Sequence, residues 1–306
     1  MDVSVIIVSY NTATQLERCL ASVFDKTEGL RFEVIVADNA SSDGSPNLVR
    51  TLFPHVHLLV NSENIGFGAA SNGAVKEATG KYLFFLNPDA ELRNNAIKMF
   101  FDFMEECRGI LVGAIGGQLL NNEGRLIHSS GTFVDVGRDL HWRYKALARK
   151  LWRGARTGTA IREWKGLDRS TSCMKVDYVT GADLFISRQL FTGLGGFNEA
   201  YFMYAEEMDL QYRLMTQGYQ CFIMRGPEIR HEVGASFSVP NRRRIMMTVG
   251  LLTFVRLRYG RSTYLVYKTG LLLVIALEWL ADRCRREYSS SEGLSYFRKV
   301  FKEEFK

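Results

Sequence analysis

The feature that most constrains this chain is its first 120 residues, in which short β-branched runs alternate with stretches of helical periodicity. Residues 3–8, 32–37, 56–60 and 81–86 read as strands, and 14–24, 45–52 and 66–78 as the helices between them, the first with Leu16, Leu20 and Val23 on one face. Helices of this length between strands act as crossovers between parallel neighbours, which predicts an α/β sheet. In such a sheet, ligands bind at the carboxyl ends of the strands.

Three polar clusters fall at those ends. They are Ser9-Tyr10-Asn11, Asp38-Asn39-Ala40-Ser41-Ser42-Asp43-Gly44 and Asn87-Pro88-Asp89. Any one of them is explained by ordinary turn and cap chemistry; three at successive strand ends point to a shared site. Residues 64–72 add a glycine-rich helix start, Asn64-Ile65-Gly66-Phe67-Gly68-Ala69-Ala70-Ser71-Asn72. It is either a tight, well-packed first turn or a place where backbone N–H groups meet a nucleotide diphosphate. The third glycine of the dinucleotide fingerprint is missing, and no G-x-x-x-x-G-K-[ST] occurs, which excludes the P-loop class.

Composition bounds the rest. A chain of 306 residues with 46% hydrophobic content suits one large or two small globular domains and argues against disorder. The net charge of +6 is unevenly distributed: residues 138–175 carry 11 basic and 3 acidic side chains, residues 241–270 carry 7 basic and none acidic, and the remainder is net acidic. The five cysteines, Cys19, Cys107, Cys173, Cys221 and Cys284, are far apart, odd in number and form no C-x-x-C pair, so a reducing cytoplasm is predicted rather than a disulfide or zinc framework. Residues 3–8 run straight into a polar turn and read as a buried strand, not a signal peptide. The late apolar run 270–277, bracketed by Lys268 and Glu278, is too short to cross a bilayer, so no transmembrane span is expected.

The ordered motifs resemble those of family 2 glycosyltransferases of the GT-A fold, in particular the bacterial rhamnosyltransferase-like branch. They are Val5-Ile6-Ile7-Val8-Ser9-Tyr10-Asn11, Val36-Ala37-Asp38-Asn39-Ala40-Ser41-Ser42-Asp43-Gly44, Asn64-x-Gly66-Phe67-Gly68-x-x-x-Asn72, Leu86-Asn87-Pro88-Asp89-Ala90 and Gly195-Gly196-Phe197-Asn198-Glu199-x-Tyr201-Phe202. The resemblance implies a Rossmann-like nucleotide-diphospho-sugar transferase sheet with helices on both faces and a C-terminal helical extension. It divides the chain into a nucleotide-sugar half (1–118), an acceptor and catalytic half (119–240) with a basic helical insert (138–175), and a helical region (241–306).

By the same resemblance, Ser9, Tyr10, Asn11, Asp38, Asn64, Gly66, Asn72 and Asn87 serve the nucleotide, with Asp38 accepting the imide N–H of uracil or thymine; Asn72 equally suits a cap or packing role. Asp89 is the expected ligand of a divalent cation, Mg²⁺ or Mn²⁺, that bridges the diphosphate. The family's D-x-D has Asn87 at its first position here, which offers an amide oxygen without charge. His231 is expected as a metal or diphosphate ligand, coordinating as neutral imidazole. In Glu206-Glu207-Met208-Asp209-Leu210-Gln211-Tyr212-Arg213, alignment on Leu210 and Arg213 puts Glu207 at the position of the base that deprotonates the acceptor hydroxyl. Relatives usually have Asp there. Asp209 is the second candidate base, Glu206 a helix-start contributor on the acceptor or metal side, and an acidic first turn also stabilises a helix without any catalysis. Asp183 contacts the acceptor from a loop preceding a helix, or caps that helix at 187–194.

The insert departs from a minimal family member. Leu140, Tyr144, Leu147 and Leu151 recur at helical spacing, with Arg143, Lys145, Arg149, Lys150, Arg153 and Arg156 on other faces and Trp142, Trp152 and Trp164 nearby. This fits either an anionic membrane surface or lipid-pyrophosphate acceptor, or a solvated helix packed by its leucines. Arg242-Arg243-Arg244 opens an apolar helical region that suits a membrane contact or a homodimer interface. No helix-turn-helix, zinc-finger, RRM or KH signature accompanies the charge, so nucleic acid is not an expected partner. The combined expectation is an inverting, metal-dependent transferase that moves a sugar, rhamnose from dTDP-rhamnose, to a lipid-linked surface-glycan acceptor, in the cytoplasm at the inner face of the membrane. The alternatives are a UDP-hexose donor and a non-catalytic nucleotide-sugar or glycan-binding module.

Overall fold

The computed structural model describes residues 1–107, 109–153, 172–232, 240–284, 298 and 300–302. Arg156 and Trp164 of the basic insert, and Val233 to Ser236 after His231, lie outside the described residues. The N-terminal part runs β1 (Val3–Ser9), α1 (Ala13–Lys26), β2 (Phe32–Asp38), α2 (Ser45–Leu52), β3 (His57–Val60), α3 (Phe67–Glu77) and β4 (Tyr82–Leu86). It continues through β5 (Ala90–Leu92), α4 (Ala96–Glu106), β6 (Val112–Leu120), β7 (Ser130–Gly131) and α5 (Val136–Arg153). The last elements are β8 (Cys173–Val176), β9 (Tyr178–Val179), β10 (Asp183–Ser187), α6 (Arg188–Gly193), α7 (Glu206–Thr216), β11 (Gln220–His231) and α8 (Pro240–Cys284).

The main sheet has nine strands, in the order β3-β2-β1-β4-β10-β6-β11-β5, with β8 also paired to β11. Its first four strands are parallel, joined by the helical crossovers that the sequence predicts. The remainder is mixed. β10 runs antiparallel to both β4 and β6, and β5 and β8 run antiparallel to β11. The segment read as a loop before a helix is therefore in part a central strand. Ser187, not Asp183, caps α6, accepting the Leu190 N–H at 3.5 Å.

Alternation along the strands builds two cores. Val3, Val5, Ile7, Val34, Val36, Phe84 and Leu86 pack with Leu16, Leu20, Val23, Ile97 and Phe100 of α1 and α4. Ile6, Val8, Ile35, Ala37, Leu83 and Phe85 pack on the other face with Phe67, Ala70 and Ala74 of α3 and Leu210 and Leu214 of α7. Helices thus cover both faces, and each fully buried Phe, Leu, Ile or Val on them contributes roughly 1.5–3 kcal/mol relative to exposure.

The described residues group into two compact units. The first draws on Met1–Phe133, Glu163–Phe202 and Glu206–Ser238, and holds the sheet. The second draws on Val134–Arg162, Met203–Ala205 and Val239–Lys306, and is built from α5 and α8. Within it, the Tyr144 hydroxyl donates to the Gly270 carbonyl at 3.2 Å, and Asp139 accepts from Arg143 Nε at 2.6 Å and the Tyr267 hydroxyl at 2.7 Å. Residues 242–281 of α8 are long and apolar enough to cross a membrane by length and composition, although the local run at 270–277 is not. α8 is not one straight rod: Gly260, at φ 83° and ψ 170°, breaks it into two arms, a backbone position open to glycine and strained for other residues.

Candidate active site

The ends of β1, β2 and β4 lie side by side because these strands are in parallel register, with Ser9 opposite Asp38 and Ile6 opposite Phe85. Asp38 is 1% exposed. Its Oδ2 accepts the Ser41 N–H at 2.8 Å, and its Oδ1 is buried without a hydrogen-bond partner among the described residues. A buried acceptor of this kind is costly unless a donor reaches it. Ser9 Oγ lies 3.0 Å from Thr12 Oγ1, and Tyr10 is exposed. Asn11, at φ 53°, ties the loop after β1 to the loop after β2: its Oδ1 accepts the Ser42 N–H at 2.8 Å and its own N–H donates to Ser41 Oγ at 2.9 Å. Asp43 accepts the Ala13 N–H at 2.8 Å, satisfying an otherwise orphaned donor of the first turn of α1.

Asn39, which the sequence reading left without a role, organises the next loop. Its Nδ2 donates to the Gly66 carbonyl at 3.1 Å and its Oδ1 accepts from Asn61 Nδ2 at 2.8 Å. Asn64 Oδ1 accepts the Gly66 N–H at 3.0 Å. Gly66 itself, at φ 89°, makes room for the Phe202 backbone: a Cβ there would collide with the Phe202 carbonyl oxygen, which accepts the Phe67 N–H at 2.9 Å. The glycine-rich start therefore seats a neighbouring segment of chain on α3. Asn72 completes that seat. Its Oδ1 accepts the Phe197 N–H at 2.9 Å, and its Nδ2 donates to the Phe197 carbonyl at 2.8 Å and to Glu199 at 3.0 Å. Of the two roles open to Asn72, the contacts present are those of packing.

On the other side of β1, the turn after β4 carries Asn87 and Asp89. Asp89 is 8% exposed. β5 and β11 pair with His231 opposite Ala90, which brings His231 Nε2 to 3.2 Å from Asp89 Oδ1 and 3.4 Å from Asn87 Nδ2. Among the described residues no three His, Cys, Asp or Glu side chains gather as a metal cluster. The Asn87 N–H donates to the Ala182 carbonyl at 3.0 Å, joining this turn to the segment that leads into β10. Gly181, one residue earlier, faces the Glu207 side chain, about 3.7 Å from where a glycine Cβ would stand. Residues 181–182 thus touch both the turn that carries Asn87 and the Glu207 side chain.

Glu207, the second residue of α7, is half-buried. Gln211, fully buried, holds that turn by donating from Nε2 to the carbonyls of Glu207 at 3.0 Å and Val179 at 2.8 Å, while its Oε1 accepts the Val179 N–H at 2.8 Å. Asp209 is enclosed at 0% exposure. Its Oδ1 accepts the Tyr201 hydroxyl at 3.0 Å and its Oδ2 accepts Arg213 Nε at 3.0 Å. Arg213 also donates to the carbonyls of Leu194 and Gly196, both at 2.7 Å. Asp209 is thereby a strut that fixes α7 to the 194–201 segment. Glu206 is 4% exposed, with Oε2 lacking a partner among the described residues. Burial pushes its carboxyl well above the usual carboxylate range, and the neighbouring Glu207 adds to the shift. Asp183, also fully buried, is raised by burial against the opposing hydrogen bond from the Gly117 N–H at 2.6 Å. Tyr204 and Ala205, just before α7, have φ of 71° and 74°, a strained elbow for two non-glycine residues that nothing in the sequence announces.

Parallel-strand ends that carry Asp38 and the Asn87–Asp89 turn, in a sheet covered by helices on both faces, suit a nucleotide-sugar-dependent glycosyltransferase on a GT-A sheet. The chain belongs to glycosyl transferase family 2, whose family model matches residues 4–174. It is 28% identical over 239 residues to N-acetylglucosaminyl-diphospho-decaprenol L-rhamnosyltransferase of Mycobacterium tuberculosis, covering 74% of this chain and 75% of that protein. It is 30% identical over 125 residues to the putative teichuronic acid biosynthesis glycosyltransferase TuaG of Bacillus subtilis, covering 40% of this chain and 49% of the relative. Among solved structures, the mannosyltransferase PcManGT from Pyrobaculum calidifontis in complex with GDP-Man and Mn²⁺ shares the fold, with a TM-score of 0.54 at 18% identity over 99% of this chain and 75% of that one. S. aureus TarS 1-349 in complex with UDP has a TM-score of 0.55 at 14% identity, covering 99% and 90%.

Proposed function

We propose that this glycosyltransferase transfers rhamnose from dTDP-rhamnose, with inversion, to a lipid-linked glycan acceptor at the cytoplasmic face of the cell membrane. The observation that carries the chemistry is the pairing of Asp89 with His231 at 3.2 Å on the turn whose Asn87 bonds Ala182, next to Gly181, which touches Glu207. The similarity to the mycobacterial rhamnosyltransferase supports the sugar and the lipid-diphosphate acceptor.

The residues fit a divalent cation. A carboxylate oxygen and an imidazole nitrogen 3.2 Å apart match adjacent corners of an octahedron with ~2.1 Å bonds, whose edge is about 3.0 Å. Mg²⁺ and Mn²⁺ take one or two protein ligands and complete their shell with substrate phosphates and water, so two side chains suffice. Asp89 and His231 would hold the ion, with the Asn87 amide beside them. When bound, it neutralises charge on the departing diphosphate. Glu207 takes the proton from the acceptor hydroxyl as that oxygen attacks the anomeric carbon. The unpartnered Asp38 Oδ1 receives the imide N–H of the base, and Ser9 and the loop joined by Asn11 flank it.

The same imide occurs in uracil, so a UDP-hexose is the second reading of the donor. A screen of nucleotide sugars for nucleoside diphosphate release, with and without Mn²⁺, tests the proposal. Release from dTDP-rhamnose above all others is expected. Binding of the nucleoside diphosphate without release from any donor would leave a non-catalytic binding module.

A further inference from the structure

The second unit presents an exposed cationic and aromatic face on α5. One stripe of α5 is packed: Leu147 is 4% exposed, and the Tyr144 hydroxyl reaches the Gly270 carbonyl of α8. A different stripe, Arg138, Trp142, Lys145, Arg149 and Trp152, recurs at intervals of four, three, four and three residues and is exposed throughout. Trp142 is 52% exposed and Trp152 is 93% exposed. Lys145 Nζ stands 5.3 Å from the Trp142 ring centre. The sole acid of α5, Asp139, is turned inward to Arg143 and Tyr267. Asp135, just ahead of the helix, accepts the Arg138 backbone N–H at 2.9 Å.

Two bare indoles interleaved with three cationic side chains match one environment closely. Indoles settle at the boundary between lipid headgroups and acyl chains, and Lys and Arg meet anionic headgroups above it. We propose that the Arg138–Trp152 stripe docks this protein on an anionic lipid bilayer. A second copy of the chain would set these cations against their own kind. Single-stranded nucleic acid also combines stacking with positive charge, but it has no use for the exposed apolar Val266 and Leu273 of α8, in the same unit. The inference is independent of the donor reading, since it concerns neither the strand ends nor α7.

The test is co-sedimentation of the full chain with vesicles of phosphatidylcholine alone and of phosphatidylcholine with phosphatidylglycerol. Binding is expected only with the anionic lipid and is expected to be released by high salt. Lys145→Gln/Arg149→Gln lowers it about twenty-five-fold, since each surface cation contributes about a factor of five. Trp142→Ala/Trp152→Ala also weakens binding, while both variants keep wild-type thermal stability and nucleoside diphosphate release. Four outcomes overturn the proposal: no binding to anionic vesicles, equal binding by the variants, attachment that resists salt and yields only to detergent, which would point to α8, or a wild-type dimer that the Trp variants abolish. Tighter binding to single-stranded RNA than to vesicles, lost in the cation variant, would also overturn it.

Discussion

His231 Nε2 and Asp89 Oδ1 lie 3.2 Å apart although they are far apart in the sequence. Strand pairing brings them together, with His231 at the end of β11 opposite Ala90 of β5. Their separation makes the proposed cation site testable without reference to any particular sugar. Asp89→Ala is expected to lower donor turnover by on the order of 10²–10³, the worth of several kcal/mol of charge stabilisation. His231→Ala is expected to weaken Mn²⁺ binding measured calorimetrically with nucleoside diphosphate present. Unchanged Mn²⁺ affinity in both variants would remove these residues as ligands.

Glu207 and Asp209 separate by readout. Glu207→Gln is expected to lose on the order of 10²–10⁴ in kcat with little change in melting temperature, because the side chain is half-buried and replaced by its isostere. A variant with wild-type kcat would exclude Glu207 as the base.

Asp209→Ala should instead unfold earlier. It leaves the Arg213 guanidinium, whose side chain is 17% exposed, without its carboxylate and strips the Tyr201 hydroxyl of its acceptor. Breaking one partner of such a pair costs about 3–5 kcal/mol. Denaturant melts measure this directly, and a loss below about 1 kcal/mol would contradict the strut assignment.

The buried acids impose a pH dependence on stability. Burial raises the pKa of Asp183 in the folded chain, so the native state holds a proton that the unfolded chain releases above about pH 4. The wild type therefore has its full stability from this group below that pH and loses it progressively as pH rises toward the native pKa. Asp183→Asn titrates in neither state. Its melting temperature is expected to match wild type near pH 4 and to gain on it by a few degrees by pH 8. Parallel curves would show that Asp183 is ionised in the fold.

Gly66→Ala is expected to destabilise through its backbone, since the residue is held at φ 89° and the added methyl meets the Phe202 carbonyl. Nucleotide affinity and stability should fall together. A loss of affinity with unchanged stability would assign Gly66 to the ligand alone.

The N-terminal fold was legible because one physical pattern dominates it: β-branched runs buried on both faces, separated by amphipathic helices. β1 to β4 lie within one residue of the runs that announce them. β10 was hidden because a strand containing Asp183 does not look apolar, and only the Gly117 N–H shows why a carboxyl is tolerated there. β6 was similarly masked by Gly116 and Gly117, which lower strand propensity. At the site, Asp38, Asp89 and Glu207 were visible as residue types. Asn39 and Gln211 were not, since each acts by satisfying distant backbone groups that only the folded chain brings near.

The wedge of β10 between β4 and β6 also governs how the molecule can be made. Residues 82–86 and 114–115 both precede residue 121 but never pair with each other in the sheet; 183–187 must arrive to join them. β6 then gains its outer partner only from 220–231, and β5 is likewise paired only by that strand. A ribosome that has released the first half of the chain has thus released a four-stranded sheet with an open edge at β4. Closing that edge depends on contacts of high sequence separation, the kind that slow folding and expose unpaired strands to aggregation. Truncation anywhere before residue 187 is consequently a poor route to an isolated nucleotide-binding fragment.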